Sequence, residues 1–230
     1  MKACIYIALD GLKKQKALSL VKILSKSENA NLIAGYKIHD LWDSYGPSIV
    51  KELKKIGARE VWVDLKLNDT PRTISLRTAA VCAAGGDVIS VHASSGVRGL
   101  KAAVERKIKV ATITLLTSLG EGEVKTIFST STNDAVLRLA RLAHKSGTWA
   151  IVCSAKEVES LSKRNTFEKL KLIVPGIQRT SAKGSNQKRV GRPGKTLGSG
   201  ATFIVLGTII THDPKPLIAF ENIAKEVLFR

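Results

Sequence analysis

Aromatic side chains are scarce in this chain: Phe, Tyr and Trp together make up 5% of its 230 residues. A protein that grips single-stranded nucleic acid by stacking needs aromatic platforms interleaved with cations. The most basic stretch, residues 179–195, contains no aromatic residue at all. Nucleic acid is therefore not expected as a principal partner. Cysteine is equally sparse, with Cys4, Cys82 and Cys153 far apart and set among apolar neighbours. Three thiols without a CxxC pair give neither a disulfide framework nor zinc-ligand spacing. Buried reduced thiols in a cytoplasmic protein are the expectation. His39, His144 and His212 likewise have no partners at metal spacing, so no metal site is expected. No apolar run reaches the roughly 18 residues that a membrane-spanning helix requires. Residues 4–9 are too short for the apolar core of a signal peptide and lack a small-residue cleavage site. They read as a first buried strand.

Acidic residues are also few: 19 Asp and Glu stand against 37 Lys and Arg, for a net charge of +18. Such an excess suits anionic ligands, either phosphorylated metabolites or nucleic acid, and does not choose between them. The rest of the composition, 44% hydrophobic and 24% charged, is that of a globular protein. A length of 230 residues matches one (β/α)₈ domain spanning 1–230, with no linker and no second domain.

Apolar runs recur at 5–10, 32–38, 60–67, 88–93, 110–118, 149–154, 172–177 and 203–210. They are β-branched and nearly continuous in apolar character, as strands covered on both faces must be. Helical periodicity fills the intervals at 17–24, 49–56, 74–84, 97–104, 135–143 and 217–228. Gly57, Gly85 and Gly147 follow three of these stretches, where a left-handed residue commonly ends a helix. Strand–helix alternation repeated eight times predicts a closed α/β TIM barrel, with an open doubly wound sheet as the alternative. The interval from Gln178 to Lys195 breaks the pattern with glycine, serine and cations, and any helix there must be short. In a barrel this loop is placed either to grip a phosphate or merely to stay solvated. Gly194-Lys195-Thr196 looks like the end of a P-loop, but the glycine needed five positions before Gly194 is Arg189, so that motif fails.

Barrel active sites collect at the C-terminal ends of the strands. Those ends carry Asp10, Lys37, Asp64, Lys66, His92, Thr117, Ser118 and Pro175. Charged residues that end apolar strands are costly unless paired or used. Asp64 and Lys66, at i and i+2 on one strand, are expected on the same face, where each keeps the other ionised. A purely structural ion pair is the bland alternative. His92 reads as a hydrogen-bonded packing residue of the barrel interior. Trp42, Trp62 and Trp149 read as core or interface residues.

The segment Asp64-Leu65-Lys66-Leu67-Asn68-Asp69, followed by Thr70-Pro71-Arg72-Thr73, resembles the signature of the orotidine 5′-phosphate decarboxylase family. The likeness continues in order along the chain. Ile7-Ala8-Leu9-Asp10, Gly35-Tyr36-Lys37 and Tyr45-Gly46-Pro47 resemble the family's first and second strand motifs. Val91-His92-Ala93, Leu116-Thr117-Ser118, Val152-Cys153-Ser154, Pro175-Gly176-Ile177 and Asn186-Gln187-Lys188-Arg189 follow where similar motifs lie. The Asp-x-Lys-x-x-Asp pattern is shared with related sugar-phosphate enzymes; the full ordered set is what is specific. The resemblance implies a cofactor-free lyase that takes a nucleotide substrate, orotidine 5′-monophosphate, to UMP and carbon dioxide. It implies that Lys66 protonates C6 of the pyrimidine, that Asp64 sits against the substrate carboxylate, that Lys37 orients it and binds a ribose hydroxyl, and that Asp10 holds the ribose as well. Asp69, with Thr70 and Thr73 beside it, is implied to complete the charge network of the other subunit in a homodimer. Thr117 and Ser118 are implied near the base, Gln187 near base and phosphate, and Pro175, Gln178, Arg179, Gly207 and Thr208 around the phosphate end.

Two departures fall on the phosphate contacts. The family usually places arginine after Pro-Gly-Ile, where this chain has Gln178 and then Arg179. It usually ends its eighth strand with Gly-Arg-Pro-Ile, where this chain reads Gly207-Thr208-Ile209-Ile210. Threonine offers a hydrogen bond but neither the charge nor the fork of a guanidinium. Arg179, Lys183, Arg189, Arg192 or Lys195 is expected to supply the missing cation. The alternatives are a metal-dependent aldolase or decarboxylase acting on a sugar phosphate, and a catalytically weak barrel that binds anions or nucleic acid.

Overall fold

Eight short apolar runs bury both faces when the sheet closes on itself and helices cover its outside. The computed structural model, which describes residues 2–178 and 191–229, has that architecture. It is a (β/α)₈ barrel in the order β1 to β8, every neighbouring pair parallel and β8 paired back to β1. The chain begins β1 (Ile5–Ala8), α1 (Lys14–Leu24), β2 (Ile33–Ile38), α2 (Asp40–Tyr45) and α3 (Ser48–Lys55). It continues through β3 (Val61–Leu67), α4 (Pro71–Ala83), β4 (Val88–His92), α5 (Gly96–Val104) and β5 (Lys109–Ile113). Next come α6 (Glu121–Phe128), α7 (Thr132–Ser146), β6 (Ala150–Val152), α8 (Val158–Ser162) and β7 (Lys171–Val174). The described residues end with α9 (Pro193–Gly198), β8 (Phe203–Leu206), α10 (Thr208–Thr211) and α11 (Pro216–Leu228). No helix among them is long and apolar enough to cross a membrane.

Alternation along β1 shows how the two faces are used. Tyr6 and Ala8 belong to a small apolar cluster with Trp62, Val88, Ile113 and Val205, which fills the barrel. Ile5 and Ile7 belong to the larger shell between strands and helices. The N-terminal end of the barrel is closed by aromatic and ionic packing. Tyr6 lies 5.4 Å from the Trp62 ring and donates its hydroxyl to Glu60 at 2.5 Å. Glu60 pairs with Lys109 at 2.5 Å, and that ammonium sits 5.2 Å from the Trp149 ring. The opposite end is left for the site.

Local sequence explains the element boundaries. Pro71 starts α4, with Thr70 capping by accepting from the Thr73 amide, and Ser131 caps α7 through the Asp134 amide. Gly147 ends α7 at φ 69°, and Gly57 and Gly85 also have positive φ, as expected of helix stops. Gly35 serves close approach: a Cβ there would stand 2.4 Å from the Glu60 carbonyl oxygen, which accepts the Tyr36 amide.

Several strands stop earlier than their apolar runs. β5 ends at Ile113 instead of residue 118, and β8 ends at Leu206, after which Thr208–Thr211 is helical instead of extended. β1, β6 and β7 are also shorter than the runs that mark them. The reason is that apolar residues past the ladder still face a buried environment. Leu115, Ile177 and Ile210 are all buried without being strand, and hydrophobicity alone does not tell ladder from lining. The short helices α2, α6, α8, α9 and α10 had no periodic signature to announce them.

Candidate active site

Neighbouring strands bring the charged ends together. β1 pairs with β2 at Ala8 and Lys37, and β2 pairs with β3 at Lys37 and Trp62. Asp10, two residues beyond β1, therefore reaches the same level as Lys37. The Lys37 Nζ lies 2.5 Å from Asp10 Oδ2 and 3.0 Å from Asp64 Oδ2. The Lys66 Nζ approaches that same Asp64 oxygen at 2.6 Å. A chain of alternating charge thus runs Asp10, Lys37, Asp64, Lys66.

Asp64 and Lys66 share one face, as their spacing suggests, but a bulge, and not simple strand alternation, brings them together. Val63 stands opposite Ile89 and Leu67 opposite Val91, so four steps along β3 match two along β4. The intervening residues bulge out of the ladder, and Lys66 adopts φ 47°. A left-handed conformation at a residue with a Cβ costs on the order of 1–3 kcal/mol and persists only where surroundings enforce it. Here the bulge turns the lysine back over Asp64, whose carbonyl oxygen is 3.5 Å from the ammonium.

Electrostatics fix the charge states. Burial by itself raises the pKa of Asp64, but the charges of Lys37 and Lys66, with hydrogen bonds from Lys66 and Ser90, hold it well below the usual carboxylate range. Burial likewise lowers Lys37, and Asp64 and Asp10 outweigh that and raise it. Lys37 and Asp64 are buried, with side chains 8% and 6% exposed, while Lys66 is 36% exposed. Lys66 is thus the cation of the network that opens to the cavity. His92, at the end of β4, is pushed down by burial and by the Lys66 charge, against a weaker pull from Asp64. No hydrogen bond holds its ring among the described residues, unlike the packing role expected for it.

These groups lie in the wall of a cavity of about 680 Å³. Asp10, Lys37, Asp64 and Lys66 line one side, and Thr117 and Ser118 come from the segment after β5. Pro175 and Gln178 after β7, and Gly207 and Thr208 after β8, complete the far end. Ten of the residues singled out in the sequence therefore share one cavity. Asp69, Thr70 and Thr73 do not line it. Asp69 and Thr70 are exposed at the start of α4, where the Asp69 carboxylate accepts the Thr70 amide at 2.6 Å. Arg179 and Gln187 lie outside the described residues, as do Lys183 and Arg189.

Arg192 and Lys195 differ in placement. Gly191 bridges to Ile177, donating to Gly176 and accepting from the Gln178 amide at 2.9 Å. That strap brings the backbone of Arg192 to the Gln178 end of the cavity. Lys195, an exposed residue of the otherwise largely buried α9, faces instead the charge of exposed Glu159.

Two lining or neighbouring residues escaped the strand-end reading. Trp62 lines the cavity as well as packing inside the barrel, and Ser90 contacts Asp64 directly. A lone serine inside the apolar run of β4 was the available sign.

Similarity to known proteins fits this geometry. Residues 4–223 match the family model described as Orotidine 5′-phosphate decarboxylase / HUMPS family. The orotidine 5′-phosphate decarboxylase of Hahella chejuensis is 36% identical over 195 residues, covering 82% of this chain and 83% of that protein. That of Nitrosococcus oceani is 34% identical over 234 residues, covering 98% of both. Among solved structures, orotidine 5′-phosphate decarboxylase from Lactobacillus acidophilus superposes with a TM-score of 0.81 at 26% identity, over 98% of this chain and 99% of that one. An uncharacterized conserved protein from Geobacillus kaustophilus reaches 0.79 at 26% identity, over 97% and 99%.

Proposed function

The chain belongs to the orotidine 5′-phosphate decarboxylase / HUMPS family, and from this premise we propose that it is the carboxy-lyase that converts orotidine 5′-monophosphate to UMP and carbon dioxide in pyrimidine biosynthesis. The observation that carries this reading is the Lys37–Asp64–Lys66 network at the wall of one cavity. A volume of about 680 Å³ suits a nucleotide-sized ligand.

The chemistry follows from charge. The bond between C6 and the carboxylate breaks, carbon dioxide leaves, and the electron pair stays on C6. The Lys66 ammonium, already fixed and open to the cavity, stabilises that charge as it forms and delivers its proton to C6. Solvent then restores the proton on Lys66. Asp64, kept ionised and buried, faces the substrate carboxylate and disfavours its charge before reaction, while Lys37 orients Asp64. Lys37 and Asp10 hold the ribose hydroxyls, and Thr117, Ser118 and Gln187 meet the base. Asp69 serves the partner's site in a homodimer, with Thr70 and Thr73; its exposure in the single chain supports that role. A cytoplasmic location accords with this reading.

The phosphate end carries Gln178, Gly207 and Thr208 with Pro175, and no arginine lines the cavity among the described residues. Binding energy from a remote phosphate contributes to the rate as well as to affinity. Arg192, which follows Gly191 where that residue's backbone pairs with Gln178, is the cation we assign to compensate. The net charge of +18 favours approach of the same anionic substrate.

The test is product analysis with a metal chelator present. Equimolar UMP and carbon dioxide from orotidine 5′-monophosphate are expected, and neither product would overturn the reading. Thr208→Arg is expected to lower KM and raise kcat/KM, whereas Arg192→Ala raises KM. An unchanged KM in Arg192→Ala would remove that residue from the phosphate grip.

A further inference from the structure

The carboxylate at the centre of the charge network has two oxygens, and they are used differently. Asp64 Oδ2 takes both ammonium groups, Lys66 at 2.6 Å and Lys37 at 3.0 Å. Asp64 Oδ1 takes one neutral donor, the Ser90 hydroxyl, at 2.5 Å. The Ser90 Oγ in turn accepts the Trp62 indole N–H at 2.7 Å. Ser90 is completely buried and Trp62 nearly so, at 0% and 2% exposure, so water does not compete for these groups.

Valence then dictates direction. An indole N–H only donates, and a hydroxyl has one proton to give. With Trp62 filling an acceptor position of Ser90, the serine proton is left to Asp64 Oδ1. The Trp62 ring is itself clamped, meeting Tyr6 edge-on at 5.4 Å inside the barrel. A rigid aromatic thus sets a hydroxyl, and the hydroxyl sets the rotation of a carboxylate whose other oxygen holds two lysines.

We propose that Trp62 and Ser90 are positioning residues that fix the rotation and ionisation of Asp64, and through it the aim of the Lys66 ammonium. Neither side chain handles the reacting atoms. The assignment rests on the decarboxylase reading for its kinetic consequences, but the orientation of Asp64 is a property of the free protein. The Ser90 hydrogen bond is among the influences that hold Asp64 below the usual carboxylate range. Removing it leaves Oδ1 buried without a donor, because a buried acceptor is costly to leave unmade. The Asp64–Lys66 pair then has freedom to turn.

The experiment combines kinetics with a titration that needs no turnover. Ser90→Ala is expected to lower kcat on the order of ten- to hundredfold, with KM moved much less, since orientation in the transition state is lost and substrate contacts remain. Ser90→Cys, which restores a weak donor, falls between the two. Trp62→Phe keeps an aromatic ring but removes the indole N–H together with the five-membered half of the ring system. A loss of about threefold is expected from a freed hydroxyl, with the double variant separating that loss from lost packing. In a Ser90→Ala background the Trp62→Phe change no longer affects kcat, because its route runs through the serine. Additive losses would overturn the relay. Independently, the side-chain carboxyl carbon of Asp64, assigned by its absence in Asp64→Asn, is followed by NMR against pH. Its titration moves upward in Ser90→Ala if the serine holds the anion, and an unmoved titration overturns the proposal whether or not the wild type decarboxylates. A wild type without turnover whose Asp64 titration still shifts would sink the decarboxylase reading and leave the relay standing.

Discussion

Asp64 is the residue on which the site turns, and its pH behaviour is a consequence that bulk stability reads directly. Its burial raises the pKa, and Lys37 and then Lys66 more than reverse that. A carboxyl whose folded pKa lies below its unfolded value adds stability at every pH above the unfolded value, near about 4. That contribution is lost as pH falls toward the folded value. Unfolding free energy measured by denaturant titration should therefore decline below about pH 4 in the wild type. Asp64→Asn should flatten part of that decline. It should also cost about 1–3 kcal/mol at neutral pH, because buried Lys37 keeps only Asp10 as an ionic partner. A pH dependence unchanged by Asp64→Asn would contradict the assignment. At this scale the sequence was most informative for charge. Asp10, Lys37, Asp64 and Lys66 stand out because ionised groups at the ends of apolar strands have few other reasons to be there. Ser90 and Trp62 were not legible as partners of Asp64, since a hydroxyl in a strand and an indole in a core carry no mark of what they touch.

At the scale of elements, the network depends on β2 and β3 approaching closely and then parting at the bulge. Gly35 permits the approach, because a Cβ would meet the Glu60 carbonyl oxygen at 2.4 Å, and that oxygen belongs to backbone that cannot swing away. Gly35→Ala is expected to lower stability by about 1–3 kcal/mol, the usual cost of overpacking, as read from the urea midpoint. It should also reduce kcat, since Lys37 follows two residues later on the same strand. Wild-type stability in Gly35→Ala would show that the strands have room to spare. Strand and helix alternation was readable from hydrophobic pattern alone, because parallel strands covered on both faces leave long apolar runs. The bulge and the left-handed Lys66 were not readable, because they arise from the mismatch of β3 against β4. The same limit hid the ends of β5 and β8, where apolar residues leave the ladder to line the cavity.

For the whole molecule, the exposed Asp69 just before α4 and the cavity belong to one account only if two chains share sites. Asp69 is at the surface and outside its own cavity. Subunits inactivated by Lys66→Ala and by Asp69→Ala should therefore complement when mixed and allowed to exchange. Random pairing makes half the dimers hybrid, each with one intact site, so about a quarter of wild-type activity is expected. No recovery, with exchange verified, would place Asp69 in its own chain's site or outside catalysis. The barrel and the candidate charges were legible at this scale because the ordered motifs run along most of the chain. Composition says nothing about whether chains pair, since it does not record what covers a surface.

The most direct measurement compares wild type with Lys66→Ala, following the loss of orotate absorbance from orotidine 5′-monophosphate and, in parallel, the binding of UMP. The account predicts that Lys66→Ala loses turnover by a factor of about a thousand or more, as expected when a preorganised charge is removed from the transition state. It predicts that UMP binding changes only a few-fold, because ribose and phosphate contacts survive. Turnover in Lys66→Ala near the wild-type rate would contradict the claim that the charge network of this barrel is its catalytic centre.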